Sequence, residues 1–137
     1  MLEGTRMASL RDPTPNASIL NGVSVLVVED AWFVAKAVKS ALEQAGMHVV
    51  GPTATTADAR RLVAMEVPKL ALIDVNLKHE MACELIDDLH GRGVHVIVAS
   101  GYAAPPIAKD KIAACLQKPF SGAELIRTIS TIVDRLA

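Results

Sequence analysis

Five short aliphatic runs, each stopped by a turn or by polar residues and each followed by residues at helical spacing, limit this chain to a small set of folds. The runs lie at residues 23–28, 47–50, 70–73, 94–99 and 112–116, and only Ser24, His48 and His95 interrupt them. Runs this short and this apolar read as strands covered on both faces, as in a parallel sheet. After the first, Val34, Val38, Ala41, Leu42 and Ala45 recur at helical spacing, with Gly46 placed as the residue that ends the helix. The second run is closed by Gly51-Pro52, and Thr56 can then cap a helix carrying Ala59, Leu62, Val63 and Val67 up to Pro68. Met81, Ala82, Leu85, Ile86 and Leu89 form a third stripe ending at Gly91. Pro105-Pro106 opens a segment with room for one or two turns only. Ser121 and Glu124 have the spacing of a capping box ahead of Leu125, Ile126, Ile129, Ile132, Val133 and Leu136.

Strict alternation of strand and helix means parallel strands joined by right-handed crossovers, with helices on both faces of an open sheet. The expected class is α/β, a doubly wound sheet of flavodoxin-like or Rossmann-like form. The chain has 137 residues, 51% of them hydrophobic, which suits one domain. Residues 1–20 include Gly4, Asp12, Pro13, Pro15 and Asn16 without periodicity, so they read as a flexible N-terminal extension ahead of a domain at 21–137. A net charge of −1 with no basic run argues against nucleic acid and anionic membranes as partners. No run is long enough to span a membrane and no signal-peptide core is visible, so a cytoplasmic protein is expected. Cys83 and Cys115 have neither metal-ligand nor redox spacing and are expected in the core.

The functional residues are expected where the strands stop, because ligands of such sheets bind beyond the carboxyl ends of the strands. Glu29 and Asp30 end the first run, Asp74 the third, Ser100 the fourth, and Lys118 follows the fifth. Asp74 alone also fits a loop carboxylate that caps the next helix; the set of five favours a shared site. Three carboxylates in one pocket repel unless a cation joins them. Hard oxygen donors suit Mg2+, which leaves room for a phosphate, and Ser100 and Lys118 are natural donors to phosphoryl oxygens. No glycine-rich GxGxxG or GxxxxGK[ST] loop follows any strand, which counts against dinucleotide and nucleoside-triphosphate binding.

As a set, Glu29-Asp30, Asp74, Ser100 and Lys118-Pro119 resemble the response-regulator receiver domains of two-component signalling, over roughly residues 22 to 137. The resemblance implies a flavodoxin-like five-stranded parallel sheet of order 2-1-3-4-5. It implies that Asp74 accepts phosphate from a sensor histidine kinase or a histidine phosphotransfer protein. Asp30 and Asp74 would ligate Mg2+ directly, Glu29 mostly through water, and Asn76 through its backbone carbonyl. Lys118 would pair with Asp74 at rest and with the phosphoryl group afterwards. Such a chain is a switch rather than an enzyme, assisting its own phosphorylation and dephosphorylation and signalling through a partner or onward transfer.

The sequence departs from the family pattern at three places. Cys115 stands where an aromatic usually reports phosphorylation, Lys78 stands where proline is common, and the stretch from Ser100 to Lys118 is short, so the fourth helix is expected to be stunted. Ala99-Ser100-Gly101-Tyr102 is similar to a subgroup, many of them stand-alone, that lacks the aromatic switch. An order-disorder change over 101–111 is the expected substitute. Two other functions stay open on the residues: a degenerate receiver that only binds partners, and a small Mg2+-dependent phosphotransferase, although Asn76 stands where the second acid of the latter would be. Trp32 and Phe33 are expected to pack against the sheet or a loop, and His79 to be a solvent-exposed loop residue. Tyr102 could gate water or face a partner.

Overall fold

A computed structural model describes residues 17–77, 80–101 and 109–136, with the backbone alone at 17, 18, 80 and 81. The described elements are α1 (Ala17–Leu20), β1 (Ser24–Val28), α2 (Trp32–Gln44), β2 (His48–Thr53), α3 (Thr56–Met65), β3 (Leu70–Asp74), α4 (Cys83–Gly91), β4 (His95–Ser100), β5 (Ala114–Gln117) and α5 (Gly122–Leu136). All five strands pair in parallel in the order β2-β1-β3-β4-β5, the α/β topology expected from the alternation. Every residue of β3 is buried, as the uninterrupted run 70–73 requires of a central strand.

Successive residues of a strand point to opposite faces, so the core forms two layers. Leu26, Val28, Ala71, Ile73, Val96 and Val98 meet α3 and α4 through Ala59, Val63, Leu85, Ile86 and Leu89. Val25, Val27, Leu70, Leu72, Ile97 and Ala99 meet α2 and α5 through Val38, Leu42, Leu125, Ile129 and Ile132. The amphipathic stripe of α5 is thereby spent on a single face. Each fully buried aliphatic side chain contributes about 1.5–3 kcal/mol relative to exposure.

Several boundaries differ from the sequence expectations, each for a local reason. The folded part begins before residue 21: Ala17–Leu20 is helical, Leu20 is fully buried and Ile19 packs against the α2–α5 layer. β2 continues through Gly51-Pro52 instead of stopping there. It is an edge strand, where a residue without an N–H is tolerated. A bulge lets it do so, since Leu26 pairs with Val50 but Val28 with Thr53. Gly51 sits there at φ +92°, and an added Cβ would lie 3.0 Å from the Thr53 nitrogen and 3.2 Å from the Val27 oxygen. The cap of α3 is Thr55, whose hydroxyl accepts the Asp58 N–H at 3.1 Å, and Thr56 is the first helical residue. α4 includes Gly91, and the left-handed turn residue is Gly93. Met81 belongs to a two-residue hairpin arm, paired with Asn76, that joins β3 to α4.

The aromatic and sulfur residues also lie elsewhere than expected. Trp32 and Phe33 are 61% and 72% exposed and stack on each other. Cys115 is exposed because β5 is the other edge strand and buries only Leu116, and Cys83 is half-buried at the first position of α4. Of the segment between β4 and β5, Lys109–Lys111 forms a single 3-10 turn held to α4 by a Lys111–Asp87 ion pair of 2.8 Å. Residues 102–108, with Tyr102 and Pro105-Pro106, lie outside the described residues, as do Lys78 and His79; the expectations for them are neither met nor refuted. No helix among the described residues is long and apolar enough to cross a membrane.

Candidate functional site

The sheet order places β1 and β3 side by side with β4 next, so the residues that end these strands are neighbours. Glu29 and Asp30 follow β1 directly, Asp74 is the last residue of β3, and Ser100 is the last of β4. Lys118 follows β5, and its backbone N–H donates to the Ser100 carbonyl at 2.8 Å, extending the β4–β5 ladder by one bond. The structure thus brings together all five residues that the strand ends singled out.

Glu29 and Asp74 are buried, and Lys118 reaches both: its Nζ donates to Glu29 Oε1 at 2.9 Å and to Asp74 Oδ2 at 3.2 Å. The remaining oxygens of the two carboxylates are held by the backbone. Glu29 Oε2 accepts the Ala31 N–H at 3.1 Å, and Asp74 Oδ1 accepts the Asn76 N–H at 3.1 Å. The Glu29 N–H in turn donates to the Thr53 carbonyl at 2.9 Å, a contact that exists because the Gly51 bulge carries β2 far enough. These backbone supports at Ala31 and Thr53 had no signal in the sequence, since any residue supplies an N–H or a C=O. Ser100 is buried within the same edge. Asn76 contributes the N–H just described, and its side chain is exposed.

Burial raises the Glu29 pKa from its ordinary value, against the opposing effect of its bonds from Ala31 and Lys118. Burial works against the Lys118 charge, but its hydrogen bond to Glu29 and the two carboxylates outweigh this, so its pKa is raised. One carboxylate oxygen from each of Glu29, Asp30 and Asp74 lies within 4.8 Å of the others. Three carboxylates and one ammonium leave a formal charge of −2, confined where solvent screens it poorly. A hard divalent cation with oxygen donors fits that charge and that donor set. The arrangement can hold a cation beside Asp74 and present Lys118 and Ser100 to oxygens arriving there.

Beside this edge, the side of α2 and the turn from β5 into α5 enclose an apolar groove of about 550 Å3. Phe33, Val34 and Ala37 form one wall, and Lys118, Pro119 and Phe120 another. Lys118 is therefore shared between the acidic site and the groove.

The model of the family described as the response regulator receiver domain matches residues 25–130. No protein of curated function matches the sequence. Among solved structures, the response regulator PhyR from Brucella abortus is similar at TM-score 0.76 and 20% identity over 93% of this chain, which spans only 54% of PhyR. The receiver domain of PhyR from Erythrobacter litoralis gives TM-score 0.74 and 25% identity, covering 83% of this chain and 92% of that one. A CheY-like receiver domain protein from Methanospirillum hungatei JF-1 gives 0.72 and 24%, covering 84% and 96%. A parallel sheet of order 2-1-3-4-5 whose strand ends gather three acids, a serine and a lysine, together with a family match over most of its length, makes this chain a member of the response-regulator receiver domain family.

Proposed function

We propose that the chain is a phosphoacceptor whose nucleophile is Asp74. The observation that carries this reading is the setting of that carboxylate: buried at the end of the central strand, 3.2 Å from Lys118 Nζ and clustered with Glu29 and Asp30. An oxygen of Asp74 attacks the phosphorus of a phosphohistidine on a sensor histidine kinase or a histidine phosphotransfer protein. The new O–P bond forms as the P–N bond breaks, and the histidine nitrogen keeps that electron pair. Lys118 exchanges a carboxylate oxygen for a phosphoryl oxygen, and the Ser100 hydroxyl donates to another. Glu29, Asp30, Asp74 and the Asn76 carbonyl are the residues that would hold Mg2+, which when bound offsets charge on the transferring phosphoryl group. The protein is then a cytoplasmic switch that assists its own phosphorylation and dephosphorylation. The acyl phosphate carries about −1.5 to −2 charge where the Asp74 carboxylate carried −1, which adds negative charge to an edge built on ion pairs and re-biases it toward a protein partner or onward transfer.

Intact-mass measurement after incubation with acetyl phosphate or a phosphorylated kinase and Mg2+ tests the reading. One phosphoryl group should be gained by the wild type and none by Asp74→Asn. A gain retained in the variant would move the nucleophile elsewhere.

A further inference from the structure

We infer that the state of the acidic site is transmitted through Lys118 and Pro119 to the ring of Phe120, which repacks in the α2–α5 groove; this rests on the phosphoacceptor reading above. Three observations carry it. First, Lys118 is fixed on one side and free to pass on movement only on the other. Its N–H is bonded to the Ser100 carbonyl at 2.8 Å, so the end of β5 is anchored, while its ammonium is held by Glu29 and Asp74 at 2.9 and 3.2 Å. When Asp74 carries a phosphoryl group, the ammonium must follow the new oxygens, and the displacement is taken up after Lys118. Pro119 absorbs little of it, because its ring fixes φ.

Second, the next residue borders empty volume. Phe120 is partly buried against the α2–α5 layer and lines the groove of about 550 Å3 together with Phe33, Val34 and Ala37. A ring that borders an open groove of this size has room there for a new position. Third, the alternative route along β5 has no comparable side chain. Cys115 is small and exposed, and only Leu116 of that strand is buried. Phe33, across the groove, stacks on Trp32 with ring centroids 4.1 Å apart, and Lys36 lies 5.8 Å from the Trp32 ring. A change at Phe120 therefore reaches an exposed aromatic pair and alters the apolar surface that the α2–α5 face presents.

The composition makes the test direct, since the chain has two phenylalanines and one tryptophan. Protein labelled with 4-fluorophenylalanine should give one fluorine resonance each for Phe33 and Phe120, assigned with Phe33→Leu. Beryllofluoride and Mg2+ are then added as the phosphoryl mimic, and the signal of bound beryllofluoride is read in the same spectrum. The Phe120 resonance should shift as that signal grows. In Ala37→Leu, which fills the groove from an exposed helical position, the bound signal should persist while the Phe120 shift is lost or strongly reduced. Bound beryllofluoride with an unmoved Phe120 resonance overturns the inference and leaves the phosphoacceptor reading standing. Absence of any bound signal in the wild type overturns both. An undiminished Phe120 shift in Ala37→Leu also overturns it, because movement would then not depend on the groove.

Discussion

Asp74 is distinguished from a helix-capping aspartate by its partners. The N-cap of α4 is Ala82, with no side-chain cap bond, whereas Asp74 accepts from the Asn76 N–H and from Lys118. Its oxygens are thus held in place by one backbone dipole and one charge. Asp30→Ala should lose most Mg2+ affinity, since it removes one of three clustered carboxylates without touching the Lys118 pairs. Calorimetry, with Trp32 emission as a second probe, reads this; unchanged affinity in the variant would place the cation elsewhere. Lys118 gives a pH signature. Its pKa in the fold is raised above the ordinary 10.5, so the stability it contributes is fully present below that value and is lost as pH rises through the raised one. Lys118→Met should therefore flatten that part of the alkaline fall in unfolding free energy. Denaturant titrations of both proteins across that range check the sign.

The secondary elements show which physical signals a sequence carries. At the start of α5 both halves of the capping box are made: the Ser121 N–H donates to Glu124 Oε1 at 3.1 Å, and the Glu124 N–H donates to the Ser121 hydroxyl at 3.0 Å. Ser121→Ala should cost about 0.5–2 kcal/mol in urea unfolding. That helix was legible because its cap and its stripe lie within one local stretch. β3 was legible because total burial leaves an apolar run, and the site because its acids stop such runs. Less legible was whatever depends on distant parts of the chain. Thr55 and Thr56 are equivalent as cap candidates until the backbone enters the helix. Gly91 and Gly93 each suit a helix end, and only the observed φ of +82° at Gly93 separates them. Leu20 stood among turn-forming residues, and its burial depends on α5, more than 100 positions away in the sequence. Trp32 and Phe33 look like core residues by type, yet they open α2 on its exposed side, stacked on each other, with Phe33 lining the groove.

At the scale of the whole molecule, the sheet concentrates like charge at one edge and leaves the helices to hold it there. Glu29 and Asp74 are buried against one ammonium, with Asp30 beside them, so folding brings a formal −2 together that the unfolded chain keeps apart. On the phosphoacceptor reading these same acids are the ones that would hold a cation and then a phosphoryl group, so the crowded charge belongs to the site. A cation that binds this cluster binds the folded state and not the dispersed carboxylates, so it must raise stability by mass action. At a free Mg2+ concentration ten times its dissociation constant the gain is about 1.4 kcal/mol. Urea unfolding with and without Mg2+ should show that increase in the wild type, with the slope against urea unchanged because the surface exposed on unfolding is the same. Asp74→Asn should start more stable in the absence of cation, since one of the crowded charges is gone, and should gain less from Mg2+. Equal gains in both proteins would show that the stabilising ion does not sit at the end of β3.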